Sequence, residues 1–326
     1  MRKKILGKGI RKFIIKRLLY AIPVFLVVSL VTWGFMYLAG GDPIIILTGP
    51  HATKELIEEF RSQYGLDQPF YIQYLTWLGR LFRGDLGKSI ISNQPVVKLI
   101  LDRLPTTLTL AASAMLFALI IAVPAGIIAA KKRNTTWDYI ATIIAVAGQS
   151  IPDFFLAIIL IIIFGVYLRV LPITGFTDFA FFLSNPIEGI KHFILPVIAL
   201  GAMFSALAAR LVKSSMLHVL DQDYITAARA KGLPERVVVL KHALSNSLIP
   251  LITVTTTNFA TLLGGAIIIE EIFSLPGIGR LLLRSIMYRD FPTIQGIALF
   301  LALVYTITSI VTDVLYGIVD PRIRVE

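Results

Sequence analysis

Polar positions are not interspersed along this chain; they are cleared out in long blocks. Leu18 to Gly41, Leu104 to Ala130, His242 to Ile269 and Phe291 to Thr312 carry no Lys, Arg, Asp or Glu. His192 to Ala209 is a shorter block of the same kind, and Tyr139 to Leu168 is broken only by Asp153. A helix that crosses the hydrocarbon core needs about 20 apolar residues. The pattern therefore predicts an all-α membrane protein with six transmembrane helices, near 18–41, 104–130, 139–168, 192–209, 248–269 and 291–316. Between them lie a basic arm (1–17), an external segment (42–103), a loop at 210–247 and a tail (317–326). Pro152 removes a backbone donor just before Asp153, which predicts a bend in the third span.

Two polar segments carry their own helix signals. In the external segment, Thr53 can cap a helix "KELIEEFRSQYG" that stops at Gly65. The following "PFYIQYLTWLGRLFRG" sets Phe70, Tyr74, Trp77, Leu78 and Leu81 on one helical face. This is a small helical cap, too small for a large core of its own, and it is expected to pack on the bundle. The second segment is "DYITAARAKGLPERVVVLKHALSNSLIP", residues 223–250. Asp221 or Asp223 can cap a helix Tyr224 to Lys231, Gly232 can take the left-handed position after it, and Pro234 suits the first turn of the next. Such a helix is about 12 Å long and marginal alone, so it needs a surface to pack on. Ala227, Ala228 and Ala230 keep it slim enough for a groove, while Arg229 and Lys231 offer charge to an acidic rim.

Composition agrees with lipid as the solvent. Hydrophobic residues make up 56% of the 326 positions and charged residues only 16%, against about a quarter in soluble domains. With both termini on one side, that side collects nineteen Lys and Arg against six acids, and the other is balanced at twelve each. Basic residues concentrate in the cytoplasm, so both termini and residues 210–247 are placed there. The net charge of +11 then needs no nucleic acid. The first apolar run exceeds the roughly 7–15 residues of a signal-peptide core, so a retained helix is expected. There is no cysteine, the four histidines show no ligand spacing, and no phosphate-cradling G-x-x-x-x-G-K-[ST] loop or nucleophile elbow occurs.

The 223–250 segment resembles the cytoplasmic loop of type I ABC importer permeases. Thr226, Ala227 and Ala228 stand where that family has an "EAA" triplet, and Gly232 follows at the family's spacing. The glutamate is replaced, and "HALSN" stands where "I-x-L-P" is usual; "ARAKG" and "HALSN" are similar to the dipeptide, oligopeptide and nickel branch. "RLLYAIPVFLVVSLVTWGFMYLAGGDP", "YGLDQPFYIQYLTWLGRLFRGDLGKS", "SLPGIGRLLLRSIMYRDFPTIQG" and "DVLYGIVDPRIR" are similar to that branch in order along nearly the whole chain. The resemblance is to the first, B-type permease of its pair. It implies a type I transmembrane domain in a bacterial or archaeal plasma membrane that forms half of a peptide pathway. Implied partners are a second permease, two cytoplasmic ATPases and an external binding protein. No cofactor binds this chain; ATP and Mg belong to the ATPases. The 223–232 helix becomes the coupling helix, its contact residues Tyr224, Thr226, Ala227, Ala228, Arg229, Lys231 and Gly232. A bulky residue at Ala228 is then expected to uncouple ATP hydrolysis from uptake while leaving insertion intact.

Charge within the spans is costly and tends to face a bundle interior or water. Pro152 and Asp153 form a candidate pathway wall; the alternative is an Asp that only satisfies freed backbone donors. Asp313 is expected to pair with a basic group. Thr255 to Asn258, with Gly264 and Gly265, make a small polar stripe, suited to packing on the partner permease or, through Thr257 and Asn258, to lining the pathway. Other solutes of the same branch, nickel and oligosaccharides, remain alternatives. An ion-coupled transporter would show symmetry between halves, and none is visible; a scaffold without transport is the third class.

Overall fold

The computed structural model describes residues 2–38, 53–55, 58, 61, 67–176 and 179–319. The first expected external helix, 54–65, and the tail from 320 lie largely or wholly outside them. α1 runs without a break from Arg2 to Leu38, so the basic arm and the first span are one helix. α2 is Phe70–Leu81 and α3 is Val96–Lys131. The third apolar block is split into α4 (Thr136–Ser150) and α5 (Asp153–Leu160), which continues as a π-helix to Tyr167. Then come α6 (Phe179–Ser184), α7 (Pro186–Leu220) and α8 (Asp223–Ala230). A turn at Glu235–Val237 and a π-helix at Val238–Ala243 lead into α9 (Leu244–Ile272). α10 (Ile278–Met287) and α11 (Phe291–Val319) complete the order.

Among the described residues, four helices are long and apolar enough to span a membrane, and the number reaches six when each of two bent helix pairs is counted as one span. The bend expected at Pro152 is there and reaches 100°. Helices also overrun the apolar blocks. α7 is 35 residues, about 52 Å at 1.5 Å per residue, well past a hydrocarbon core of about 30 Å. Residues 210–220, expected as loop, are therefore the C-terminal end of this helix, leading directly to α8.

The core sits where α3 and α7 cross, with α5, α8 and α9 closing around it. Small residues set the spacing. A Cβ at Gly126 would lie 2.6 Å from Val212 Cβ, and one at Gly201 would lie 2.7 Å from the Ala114 carbonyl oxygen. Close backbone approach of this kind is how helices associate in lipid, where burial of apolar surface gives little drive. α2 packs on α1 and α11 as a cap: Trp77 and Trp33 are buried with ring centroids 5.3 Å apart, beside Leu299. Tyr74, Leu78 and Leu81 join that cluster, whereas Phe70 stays exposed. The phenol of Tyr74 shares a 2.8 Å hydrogen bond with the Ser29 hydroxyl.

Candidate functional site

α8 is built as a short peg with a closed end. Gln222, not Asp221 or Asp223, occupies its N-cap and makes no side-chain cap bond; Asp223 is the first helical residue, where its charge suits the helix dipole. At the other end Gly232 has φ +75. Its N–H donates to the Arg229 carbonyl (2.9 Å), and the Leu233 N–H donates to that of Ala228 (3.4 Å). Both bonds of the glycine-ended helix stop are thus present. Pro234 precedes the next turn as its N-cap rather than standing inside it.

The two faces of α8 differ sharply. Ile225 (0% exposed) and Ala228 (9%) point into the core beside Val238, Val239 and Ala243. Thr226, Ala227, Arg229, Ala230 and Lys231 are exposed. Tyr224 is exposed too, its hydroxyl accepting a 3.0 Å bond from Asn246 Nδ2. Ala228 is therefore an anchor and not an outward contact, which corrects the expectation for a bulky residue there. Arg229 is also not a free cation: its Nε and Nη2 donate to the two Glu235 oxygens at 3.2 and 3.0 Å. The guanidinium holds the Glu235 carboxyl below its usual range. Both groups are well exposed, so the pair adds orientation more than stability.

Deeper positions separate into distinct places. Asp153 heads α5 and accepts a 2.8 Å bond from the Phe154 N–H, the arrangement in which it satisfies a freed backbone donor. Thr257 lines a cleft of about 240 Å³ between α9 and α11, with Thr253, Tyr305, Thr308, Ser309 and Asp313 among its walls. Asn258 instead donates to the Val254 carbonyl of its own helix at 2.8 Å. Asp313 pairs with Arg17 of α1 at 2.6 Å, the basic partner expected for it. Gly264 has open space where a Cβ would stand.

Three buried acids went unremarked in the sequence. Glu270 is fully buried (0% exposed) at the end of α9. The Thr107 hydroxyl donates to it at 2.6 Å, as do the backbone N–H groups of Arg280 (3.1 Å) and Gly279. It thereby caps α10 from outside, while the Ile278 N–H is taken by Thr107 Oγ1 at 2.9 Å. Asp290 accepts from the hydroxyls of Ser89 (2.6 Å) and Thr293 (2.7 Å) and from the Ile90 N–H (3.0 Å). It pins the external segment to the α10–α11 turn. Asp138, at the start of α4, pairs with Lys213 of α7 at 2.5 Å. The signals available were an Asp just before "FP" and a Glu just before a "SLPGIG" turn, both at helix junctions.

Residues 122–325 match the family described as binding-protein-dependent transport system inner membrane component, and residues 10–111 match the N-terminal membrane component of such systems. A putative peptide transport system permease protein of Brucella abortus is 41% identical over 313 residues, covering 96% of this chain and 99% of that one. The glutathione transport system permease protein GsiC of Escherichia coli is 41% identical over 312 residues, covering 96% and 98%. Among solved structures, the MetNI methionine ABC transporter in inward-facing conformations aligns with a TM-score of 0.56 at 19% identity, over 69% of this chain and 97% of that one. At that identity the likeness speaks for the fold. The chain belongs to the family of inner-membrane components of binding-protein-dependent transport systems, as a multi-pass permease subunit of an ABC importer.

Proposed function

We propose that this permease forms half of a peptide pathway, filled by an external binding protein and driven by two cytoplasmic ATPases. A second, homologous permease supplies the other half. The chain hydrolyses nothing and binds no cofactor; ATP and Mg²⁺ reside on the ATPases. One observation carries the energetic part of the reading: α8 is anchored from behind by Ile225 and Ala228 and presents a slim exposed face at Thr226, Ala227 and Ala230. A helix fixed on one side and bare on the other can transmit a push when it sits in a partner's groove. Tyr224, Arg229, Lys231 and Gly232 frame that face. Support for peptides comes from relatives named for peptide and glutathione transport at 41% identity. The open space over Gly264 suits close packing against the second permease.

The test is reconstitution. Vesicles holding the full complex should concentrate a labelled peptide in an ATP-dependent way, and vesicles holding this chain alone should not. Accumulation by the lone chain, or uptake of nickel or an oligosaccharide in place of peptide, would overturn the reading.

Pro152 and Asp153 at the sharp bend, with Thr257 in the hydroxyl-lined cleft and Asn258 beside it on α9, are the proposed pathway positions. Asp153→Asn keeps the shape and an acceptor for the Phe154 N–H while removing the charge. It should lower uptake of peptides with a free amino terminus several-fold, at about 1 kcal/mol for a lost exposed charge contact, and leave acetylated peptides unaffected. Equal uptake of both by the variant would remove Asp153 from the pathway.

A further inference from the structure

The cytoplasmic ends of α3, α4 and α7 enclose a groove of about 280 Å³ that transport does not account for. Ala125 and Ala129 of α3, Ala141 and Ala145 of α4 and Ala209 of α7 hollow it out, and Arg210, Lys213, Ser214 and Thr142 edge it. All these residues lie toward the same end of the bundle, in the C-terminal third of α3 and α7 and the N-terminal two-thirds of α4. That places the groove at the depth of the cytoplasmic headgroups.

Its charges are not equivalent. Lys213 is used up: it pairs with the buried Asp138 at 2.5 Å and donates to Thr142 Oγ1 at 3.1 Å. The Asn134 N–H also donates to Asp138, at 3.1 Å. Arg210, by contrast, is exposed and has no acidic partner among the described residues. The groove therefore holds an uncompensated cation over a cleft of small apolar residues. Val146 on its wall is exposed, and Ile143 and Ile144 beside it on α4 are exposed as well. Such a surface suits acyl chains. Nearby, Lys132 stands 4.9 Å over the exposed ring of Trp137, an aromatic and basic pairing typical of the membrane interface.

We infer that this groove holds an anionic phospholipid of the cytoplasmic leaflet. Its phosphate lies between Arg210 and the hydroxyl of Ser214, and one acyl chain runs along the alanine floor. Free phosphate would need only the cation and hydroxyl, and a zwitterionic lipid would bring its own ammonium to an already basic groove, offsetting the phosphate that pairs with Arg210. Basic recesses between helices on this side of a membrane are suited to anionic headgroups, each Lys or Arg contributing about 1 kcal/mol. The bound lipid would brace α4 against α7, the helix that carries α8. The inference does not depend on which solute is transported.

The test is native mass spectrometry of the purified complex titrated with phosphatidylglycerol or phosphatidylethanolamine. The complex should retain one phosphatidylglycerol in preference to phosphatidylethanolamine. Arg210→Gln should weaken that retention about five-fold, and Ala141→Leu, which fills the floor, should abolish it. Arg169→Gln, which removes an exposed cation elsewhere, should change nothing. Equal retention of the two lipids, or an equal loss in Arg169→Gln, overturns the assignment. So does displacement of the lipid by millimolar inorganic phosphate, or a peptide found in the groove.

Discussion

Ala227→Trp is expected to abolish ATP-dependent uptake by the assembled transporter while leaving the permease folded and inserted. Ala227 is exposed on α8, so the indole meets nothing in its own chain. It meets whatever α8 seats into. A tenfold loss requires only about 1.4 kcal/mol, and an indole in a groove shaped for a methyl group should cost more than that. Basal ATP hydrolysis should persist and no longer respond to loaded binding protein. The neighbouring variant separates the two faces. Ala228→Trp should destabilise the permease itself, because Ala228 lies in the core with Ile225, Val238 and Val239, and overpacking there costs about 1–3 kcal/mol. Unchanged uptake in Ala227→Trp would remove α8 as the coupling element.

Glu270→Ala should be the most damaging single substitution on the external side. It strips the carboxylate from the Thr107 hydroxyl and from the first N–H groups of α10. Gly277 packs so closely that a Cβ there would lie 2.1 Å from the Glu270 carboxyl. The loss leaves buried donors without acceptors, at about 3 kcal/mol or more. Thermal unfolding of the detergent-solubilised chain should fall by several degrees, and protease should cut between residues 273 and 279. Glu270→Gln retains one acceptor and most of the volume, so its unfolding should lie between alanine and the natural residue. A wild-type transition in Glu270→Ala would show that these bonds are not what holds the loop.

The features that could be read from the chain are those whose causes are local. Apolar blocks mark the spans, because each helix must satisfy its own backbone in lipid. Gly232 ends α8 as expected, since a left-handed residue needs no tertiary support to be favoured there. Pro152 bends the third span for the same kind of reason. The bend's size, 100°, was not legible; the proline permits a break, and packing against α7 and α9 sets its angle.

Misreadings fall where the cause is distant. In α8, residues 227 and 228 are both alanines in one slim helix, and nothing local tells which meets the core. The orientation is decided by Val238, Val239 and Ala243 arriving behind it. Glu270 and Thr107 are 163 positions apart, and Ser89 and Asp290 are 201 apart. No hydropathy window spans such distances, so these acids looked like ordinary loop charges. Sequence alone determined the membrane class, the apolar blocks that become the long helices and the presence of a short glycine-ended peg, because solvation and backbone caps act over a few residues. Tertiary structure decided which side of the peg is bare, how far the third span folds and which acids become internal clamps, because those depend on helices meeting that the chain order keeps apart.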